Sequence, residues 1–300
     1  MTHPSSSMEP VPDWFTEAIN ELGRTGEVSV AGARVNFRTW GEPGPGIVLV
    51  HGGAAHARWW DHIAPMLAAD HRVVALDLTG HGDSDRRSQY SLSVWAQEAI
   101  EAASAGQIVG PPVVIGHSMG GWVALTAGAE RADDVAGVVA IDSALRSRTP
   151  EDAAASRRQA FGPLRHYASA DEARGRFRVV PDDPWVKPYL SEYISALSIV
   201  KRPQGWTWKY DPKIFDRPRA SPELLSAIQC RVAVFRAEHG LVTKDIGAQM
   251  YELLGRVAPV ITLAQAGHHA MLDEPIALVV ALRTLLADWR HSLPTDRPCR

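Results

Sequence analysis

The chain has 300 residues, of which 45% are hydrophobic and 22% charged, and its formal net charge is −3 at pH 7. This composition is typical of a folded globular protein and excludes a disordered or collagen-like chain. The slight negative charge offers no basic footprint for nucleic acid, and the longest apolar runs fall far short of the ~20 residues that span a membrane.

The cysteine content and the N-terminal residues bear on the cellular compartment. Two cysteines, Cys230 and Cys299, are too few for a disulfide framework. Residues 1–12 contain no apolar stretch of the kind that a secretory signal requires. We therefore expect a cytoplasmic monomer or homodimer whose partner is a small molecule, with no nucleic acid and no membrane.

The first 25 residues are expected to form a peripheral N-terminal segment. Apolar residues recur at helical spacing over residues 13–22, which predicts a short amphipathic helix. A strand, a Gly-containing turn and a second strand are predicted next, at residues 28–30 and 35–37.

Beyond residue 45, short β-branched runs alternate with helical segments. The runs predict strands buried on both faces, at residues 47–50, 73–76, 113–115, 138–141, 232–235 and 259–262. The segments between them predict helices at residues 60–69, 92–105, 119–129, 246–254 and 276–289. This order indicates an α/β fold with a mostly parallel sheet of the eight-stranded type, flanked by helices.

The alternation is interrupted between residues 141 and 232 by a stretch rich in Pro, Arg and aromatic residues. We interpret residues 146–225 as an inserted helical cap, residues 26–145 and 226–292 as the core, and residues 293–300 as a C-terminal tail. The cap carries 15 Lys and Arg against 10 Asp and Glu. Such a surplus either favours an anionic substrate or belongs to a solvated face.

The strongest chemical signal is Gly116-His117-Ser118-Met119-Gly120, which fits the G-x-S-x-G pattern between a predicted strand and a predicted helix. A serine on so sharp a turn is exposed for attack, and the helix N-terminus supplies free N–H groups beside it. We interpret Ser118 as a nucleophile.

Two further motifs supply the partners that such a nucleophile needs. His51-Gly52-Gly53 follows the strand at 47–50, and the backbone N–H groups of Gly53 and Met119 are the expected oxyanion donors. Gly267-His268-His269 follows the last strand, and His268 is the expected general base. The histidines form no HExxH-type cluster, so we expect neither a metal nor a cofactor.

In these motifs, and in Asp77 to Ser84, the chain resembles the α/β-hydrolase superfamily over residues 27–290. The resemblance implies a serine hydrolase with an inserted cap. Most relatives place the catalytic acid after the strand at 232–235, where this chain has Gly240 at the matching position. Asp142, after the preceding strand, is our preferred acid, as in some relatives, and Glu238 is the alternative.

The substrate is expected to be a carboxylic ester or lactone of small to medium size with hydrophobic or aromatic character. The candidate substrate contacts are aromatic residues near the motifs and in the cap: Trp59, Trp122, Trp185, Trp206 and His269. Two alternatives remain open. One is a carbon–carbon bond hydrolase of the meta-cleavage type, whose members usually have Asn where this chain has His117. The other is a low-turnover binding protein of the same fold.

Overall fold

The computed structural model describes residues 10–146, 164–217 and 220–292. Residues 1–9, residues 147–163 and 218–219 of the predicted cap, and the predicted tail at 293–300 lie outside the described residues.

Eight strands form one twisted sheet, in the order β1-β2-β4-β3-β5-β6-β9-β10. The bounds are β1 Arg24–Val30, β2 Ala33–Trp40, β3 Gly46–Val50, β4 Arg72–Leu76, β5 Val113–His117, β6 Gly137–Ile141, β9 Arg231–Ala237 and β10 Val260–Leu263. Strands β1 and β2 pair antiparallel, β2 pairs antiparallel with β4, and the remaining pairs are parallel. The predicted fold class is confirmed.

Helices cover both faces of the sheet, which is why the β-branched runs of β3, β4 and β6 are buried throughout. The helices are α1 Asp13–Asn20, α2 Ala64–Ala68, α3 Leu92–Ala105, α4 Met119–Glu130, α5 Ala170–Gly175, α6 Pro188–Leu197, α7 Lys244–Leu253, α8 Ala270–Asp273 and α9 Pro275–His291. Helices α3, α4 and α7 pack on one face, and α1, α2 and α9 on the other. No helix in the described ranges combines the length and apolarity needed to cross a membrane.

Two local differences from the predicted elements have simple causes. The helix predicted at 60–69 is a 3-10 turn over Ala57–Trp60 followed by the short α2, because Pro65 lacks the N–H that a continuous helix would use. Strand β1 begins at Arg24, two residues before the predicted core boundary, because Arg24 and Thr25 pair with Thr39 and Arg38 of β2.

The described cap residues include α5, α6 and an antiparallel hairpin, β7 Ile199–Arg202 and β8 Gly205–Trp208. The hairpin is an element that the pattern of the cap sequence does not predict. The cap is fastened to the core by polar contacts as well as apolar ones, since the Tyr193 hydroxyl on α6 donates to Asp61 Oδ2 at 2.8 Å. Cap residues lie near the carboxyl ends of β3, β5 and β10, since they line one cavity together with Gly52, Ser118 and His268.

Candidate active site

Ser118 lies at the junction between β5 and α4. Its backbone has a φ of 54° and a ψ of −115°, a conformation that costs a residue with a side chain on the order of 1–3 kcal/mol. The turn is very tight, as a Cβ placed at Gly116 would lie only 1.9 Å from the carbonyl oxygen of Gly120. The two glycines of the motif therefore let strand and helix approach, and Ser118 lines a cavity at this point.

The loop after β10 brings His268 against Ser118. His268 Nε2 lies 3.1 Å from Ser118 Oγ, and His268 Nδ1 lies 2.7 Å from Asp142 Oδ2. The imidazole is only 4% exposed. A hydroxyl, an imidazole and a carboxylate in this order are the groups that an activated nucleophile requires.

Asp142 directly follows β6, and its carboxylate is fully buried. The backbone N–H groups of Ala237, Leu241 and Val242 donate to its two oxygens at 3.2, 2.6 and 3.0 Å. Burial alone would raise the pKa of Asp142, but the hydrogen bonds from His268 and from two of these amides outweigh burial and lower the pKa. The carboxylate is therefore held ionised and oriented toward His268.

Gly240 gives a steric reason for an acid that follows β6. A Cβ at Gly240 would lie 2.2 Å from Asp142 Oδ2, so a side chain here and the Asp142 carboxylate would compete for one space. Glu238 is exposed, and its carboxylate accepts the backbone N–H of Gln265 at 2.8 Å. The structure thus brings Asp142 to His268 and leaves Glu238 at the surface.

The Gly-rich loop after β3 lies beside the nucleophile turn. A Cβ at Gly52 would be 3.4 Å from Ser118 Cβ, and one at Gly53 would be 3.7 Å from Met119 Sδ. Met119 is the first residue of α4, where a backbone N–H has no acceptor within the helix. The two expected oxyanion donors, Gly53 and Met119, therefore belong to neighbouring segments.

Two carboxylates that sequence reasoning missed hold the loop that carries His268. Asp183, from the cap, accepts the backbone N–H of His269 at 3.1 Å, and Asp273, from α8, accepts the backbone N–H of Gly267. Burial, together with the charge of Asp183, raises the pKa of Asp273 to about 7. Neither carboxylate belongs to a motif, and Asp183 is distant in sequence, so no local signal pointed to them.

His117 and His269 both pack against His268, and the three ring centroids lie 4.7 to 5.4 Å apart. His117 Nε2 lies 2.8 Å from the backbone carbonyl oxygen of His268 and donates to it. Burial lowers the pKa of His269 to about 3 and that of His117 well below its ordinary value, so both rings are neutral at pH 7. One ring nitrogen from each of the three lies within 4.8 Å of the others. A metal ion held there would displace a His268 contact with Ser118 or Asp142.

A cavity of about 290 Å³ lies between the core and the cap, with Ser118, His268 and Gly53 in its wall. Two of the expected substrate contacts, Trp59 and His269, line it. Its further aromatic walls are Tyr167, Phe177, Trp208 and Tyr210.

The other three expected contacts are not among the described residues that line this cavity. The Trp122 indole N–H donates to the carbonyl oxygen of Ala144 at 3.2 Å, which turns the ring to another part of the core. Trp185 is 48% exposed and stacks on His239. Trp206 lies beside the hairpin turn, and the cavity wall is formed instead by Trp208, two residues further along β8.

The tight packing of Gly240 against Asp142 predicts that the effects of substitutions at these two residues on stability are coupled. Gly240→Ala should lower stability by about 1–3 kcal/mol, because the new methyl group overlaps the Asp142 carboxylate. Gly175→Ala is the matched control, since a Cβ there has nothing within 4 Å. Thermal unfolding measures both. In an Asp142→Gly background the cost of Gly240→Ala should largely vanish, and an undiminished cost there would contradict the overlap.

The raised pKa of Asp273 predicts a pH dependence of stability. Between its ordinary value of 3.8 and about 7, the folded chain holds a proton that the unfolded chain releases, so this group makes stability fall as pH rises. Asp273→Asn keeps an acceptor for the Gly267 N–H and removes the titration. The melting temperature of the variant relative to the wild type should therefore be higher at pH 8 than at pH 5, and the reverse order would contradict the raised pKa.

The sequence is similar to those of known hydrolases. A model of the alpha/beta hydrolase family matches residues 47–282. Among curated proteins, the chain is 34% identical over 169 residues to the lipase LipV of Mycobacterium tuberculosis. The aligned region covers 54% of this chain and 63% of the lipase. The chain is also 34% identical over 129 residues to a 2-hydroxymuconate semialdehyde hydrolase of a Pseudomonas species, covering 41% and 44%.

The alignments thus span less than two thirds of each of these relatives. Among solved structures, the chain superposes on E-2-(acetamidomethylene)succinate hydrolase with a TM-score of 0.77 at 20% identity, over 88% of this chain and 99% of that one. The family match over most of the sequence, with the sheet order described above, shows that the chain belongs to the alpha/beta hydrolase family.

Proposed function

We propose that this protein is a serine hydrolase that cleaves a carboxylic ester or lactone of small to medium size through an acyl-enzyme on Ser118. The observation that carries the proposal is the position of His268, whose Nε2 lies 3.1 Å from Ser118 Oγ while its Nδ1 lies 2.7 Å from Asp142. Similarity to a protein named as a lipase supports the same chemistry.

In the proposed mechanism Ser118 Oγ attacks the substrate carbonyl carbon and its proton passes to His268 Nε2. The resulting imidazolium is stabilised by the ionised Asp142. His268 then protonates the leaving oxygen, and the acyl group stays on Ser118. Water, losing its proton to His268, attacks the acyl carbon and releases the acid, which regenerates the serine. No cofactor enters these steps.

The negative charge that develops on the carbonyl oxygen needs two N–H donors, for which we propose Gly53 and Met119. Each such donor contributes about 2.7–4 kcal/mol to the transition state in enzymes of this type. The two segments approach closely, since a Cβ placed at Gly52 would lie 3.4 Å from Ser118 Cβ, and this supports the assignment.

The cavity supports a substrate of limited size with apolar character. Its volume of about 290 Å³ lies at the lower end of the range for small-molecule sites. Trp59, Phe177 and Trp208 supply flat apolar surface close to Ser118, and the ring centroids of Phe177 and Trp208 are 6.1 Å apart. A compact acyl or aromatic group is the proposed occupant.

A second candidate is hydrolysis of a carbon–carbon bond in a meta-cleavage product, which the similarity to the 2-hydroxymuconate semialdehyde hydrolase favours. The two candidates differ in the leaving atom, which is oxygen in one and carbon in the other. Parallel assays on p-nitrophenyl butyrate and on 2-hydroxymuconate semialdehyde distinguish them by the ratio of kcat/KM.

The nucleophile assignment predicts that Ser118→Ala abolishes turnover of p-nitrophenyl butyrate, with a loss of about 10⁴-fold or more. Ser104→Ala, at an exposed serine of α3, is the matched control and should retain activity. Reaction with a fluorophosphonate, followed by mass spectrometry, should label Ser118 alone. Turnover that survives Ser118→Ala would contradict the acyl-enzyme.

The acid assignment predicts unequal effects of two isosteric substitutions. Asp142→Asn should lower kcat by about 10⁴-fold, because the imidazole loses both its orienting acceptor and the charge that stabilises its protonated form. Glu238→Gln should change kcat by less than about twofold, because its carboxylate contacts the Gln265 amide at the surface. Circular dichroism establishes that both variants fold, and the opposite ranking would overturn the assignment.

A further inference from the structure

The cavity that contains Ser118 has a strongly one-sided charge. Three arginines are among the residues that line it, Arg165, Arg176 and Arg178, all from the cap and all exposed. No Asp or Glu is among the described residues that line it. His117 and His269 in its wall add little positive charge, since burial lowers the pKa of each and leaves both rings neutral.

These three arginines also lack carboxylate partners within the part of the chain that the structure describes. Arg174, on the short helix α5 that precedes Arg176, shows the contrast, because its guanidinium lies 3.7 Å from Asp171 and 3.8 Å from Glu192. Arg178 Nη1 donates instead to the carbonyl oxygen of Phe177 at 2.5 Å. The paired Arg174 is thus not among the described lining residues, whereas the three arginines that line the cavity have no carboxylate partner among the described residues.

Aromatic side chains line the same cavity as these arginines and Ser118. Tyr167 and Trp208 have ring centroids 5.9 Å apart, and Trp59 and Phe177 are 6.4 Å apart. Aromatic walls lower the local dielectric and concentrate the field of nearby charges, so even exposed guanidinium groups raise the local concentration of an anion.

We propose that the substrate is an ester or lactone that carries a free carboxylate as well as an apolar segment. This proposal rests on the proposed function and specifies its substrate class. The planar fork of a guanidinium matches a carboxylate through two parallel N–H donors. A cavity of about 290 Å³ is of a size that suits a compact dicarboxylic monoester.

Two substrates that differ only in this charge test the proposal on the full chain. They are mono-p-nitrophenyl adipate and its methyl ester, both of which release p-nitrophenol. The free acid should have a kcat/KM about tenfold higher or more at low ionic strength, and the ratio should decline as salt is added. A ratio of one or below would overturn the proposal.

Substitutions locate the effect. The triple variant Arg165→Gln, Arg176→Gln, Arg178→Gln should bring the ratio close to one, whereas the matched control Arg174→Gln should keep the wild-type ratio. Thermal unfolding establishes that each variant is folded. If the triple variant keeps the full preference, the arginines are not the source of it and the proposal fails.

A binding measurement separates this proposal from the proposed function. If neither ester is hydrolysed, the proposed function fails, and calorimetry of adipate with the wild-type and triple-variant proteins still decides the substrate class. Adipate should bind the wild type at least about tenfold more tightly than the triple variant. Equal affinities, or tighter binding of inorganic phosphate than of adipate, would overturn the carboxylate assignment.

Discussion

The buried carboxylate of Asp142 is the group around which this site is organised. It directly follows β6, accepts three backbone N–H groups from the end of the neighbouring strand β9 and the residues after it, and forms a hydrogen bond with His268. A buried carboxylate without partners would cost several kcal/mol of stability. The four hydrogen-bond donors therefore stabilise the fold as well as fixing the position of the imidazole. A single charged group thereby ties strands β6 and β9 to the loop after β10.

The strain at Ser118 is maintained by the same tight packing. A residue with a φ of 54° returns to an ordinary conformation unless its surroundings prevent it. Here Ser118 N–H donates to the carbonyl oxygen of Ile141 at 2.9 Å, one residue before Asp142. The turn that carries Ser118 is therefore tied to the last residue of β6, directly before the proposed acid Asp142.

The sequence predicted the sheet, its flanking helices and the chain order of the motifs, because β-branched runs and glycine turns depend on local chemistry. It left Asp142 and Glu238 as alternatives, because the choice depends on the space that Gly240 leaves for the Asp142 carboxylate. These two residues are distant in sequence. The aromatic content of the cap predicted substrate contacts there. Which tryptophan lines the cavity depends on the hairpin of β7 and β8. Asp183 and Asp273 carry no motif and were found only by their contacts.

The cap therefore has two physical connections to the chemistry, and they act on different steps. Its arginines and aromatic rings line the space for substrate, so they bear on binding. Its Asp183 accepts the backbone N–H of His269, next to the proposed base, so it bears on the orientation of His268. Because Asp183 lies in a segment distant in sequence from the histidine loop, displacement of the cap removes a hydrogen bond from that loop as well as a wall from the cavity. Cap residues thus contribute both to the wall of the proposed binding site and to the support of the proposed base.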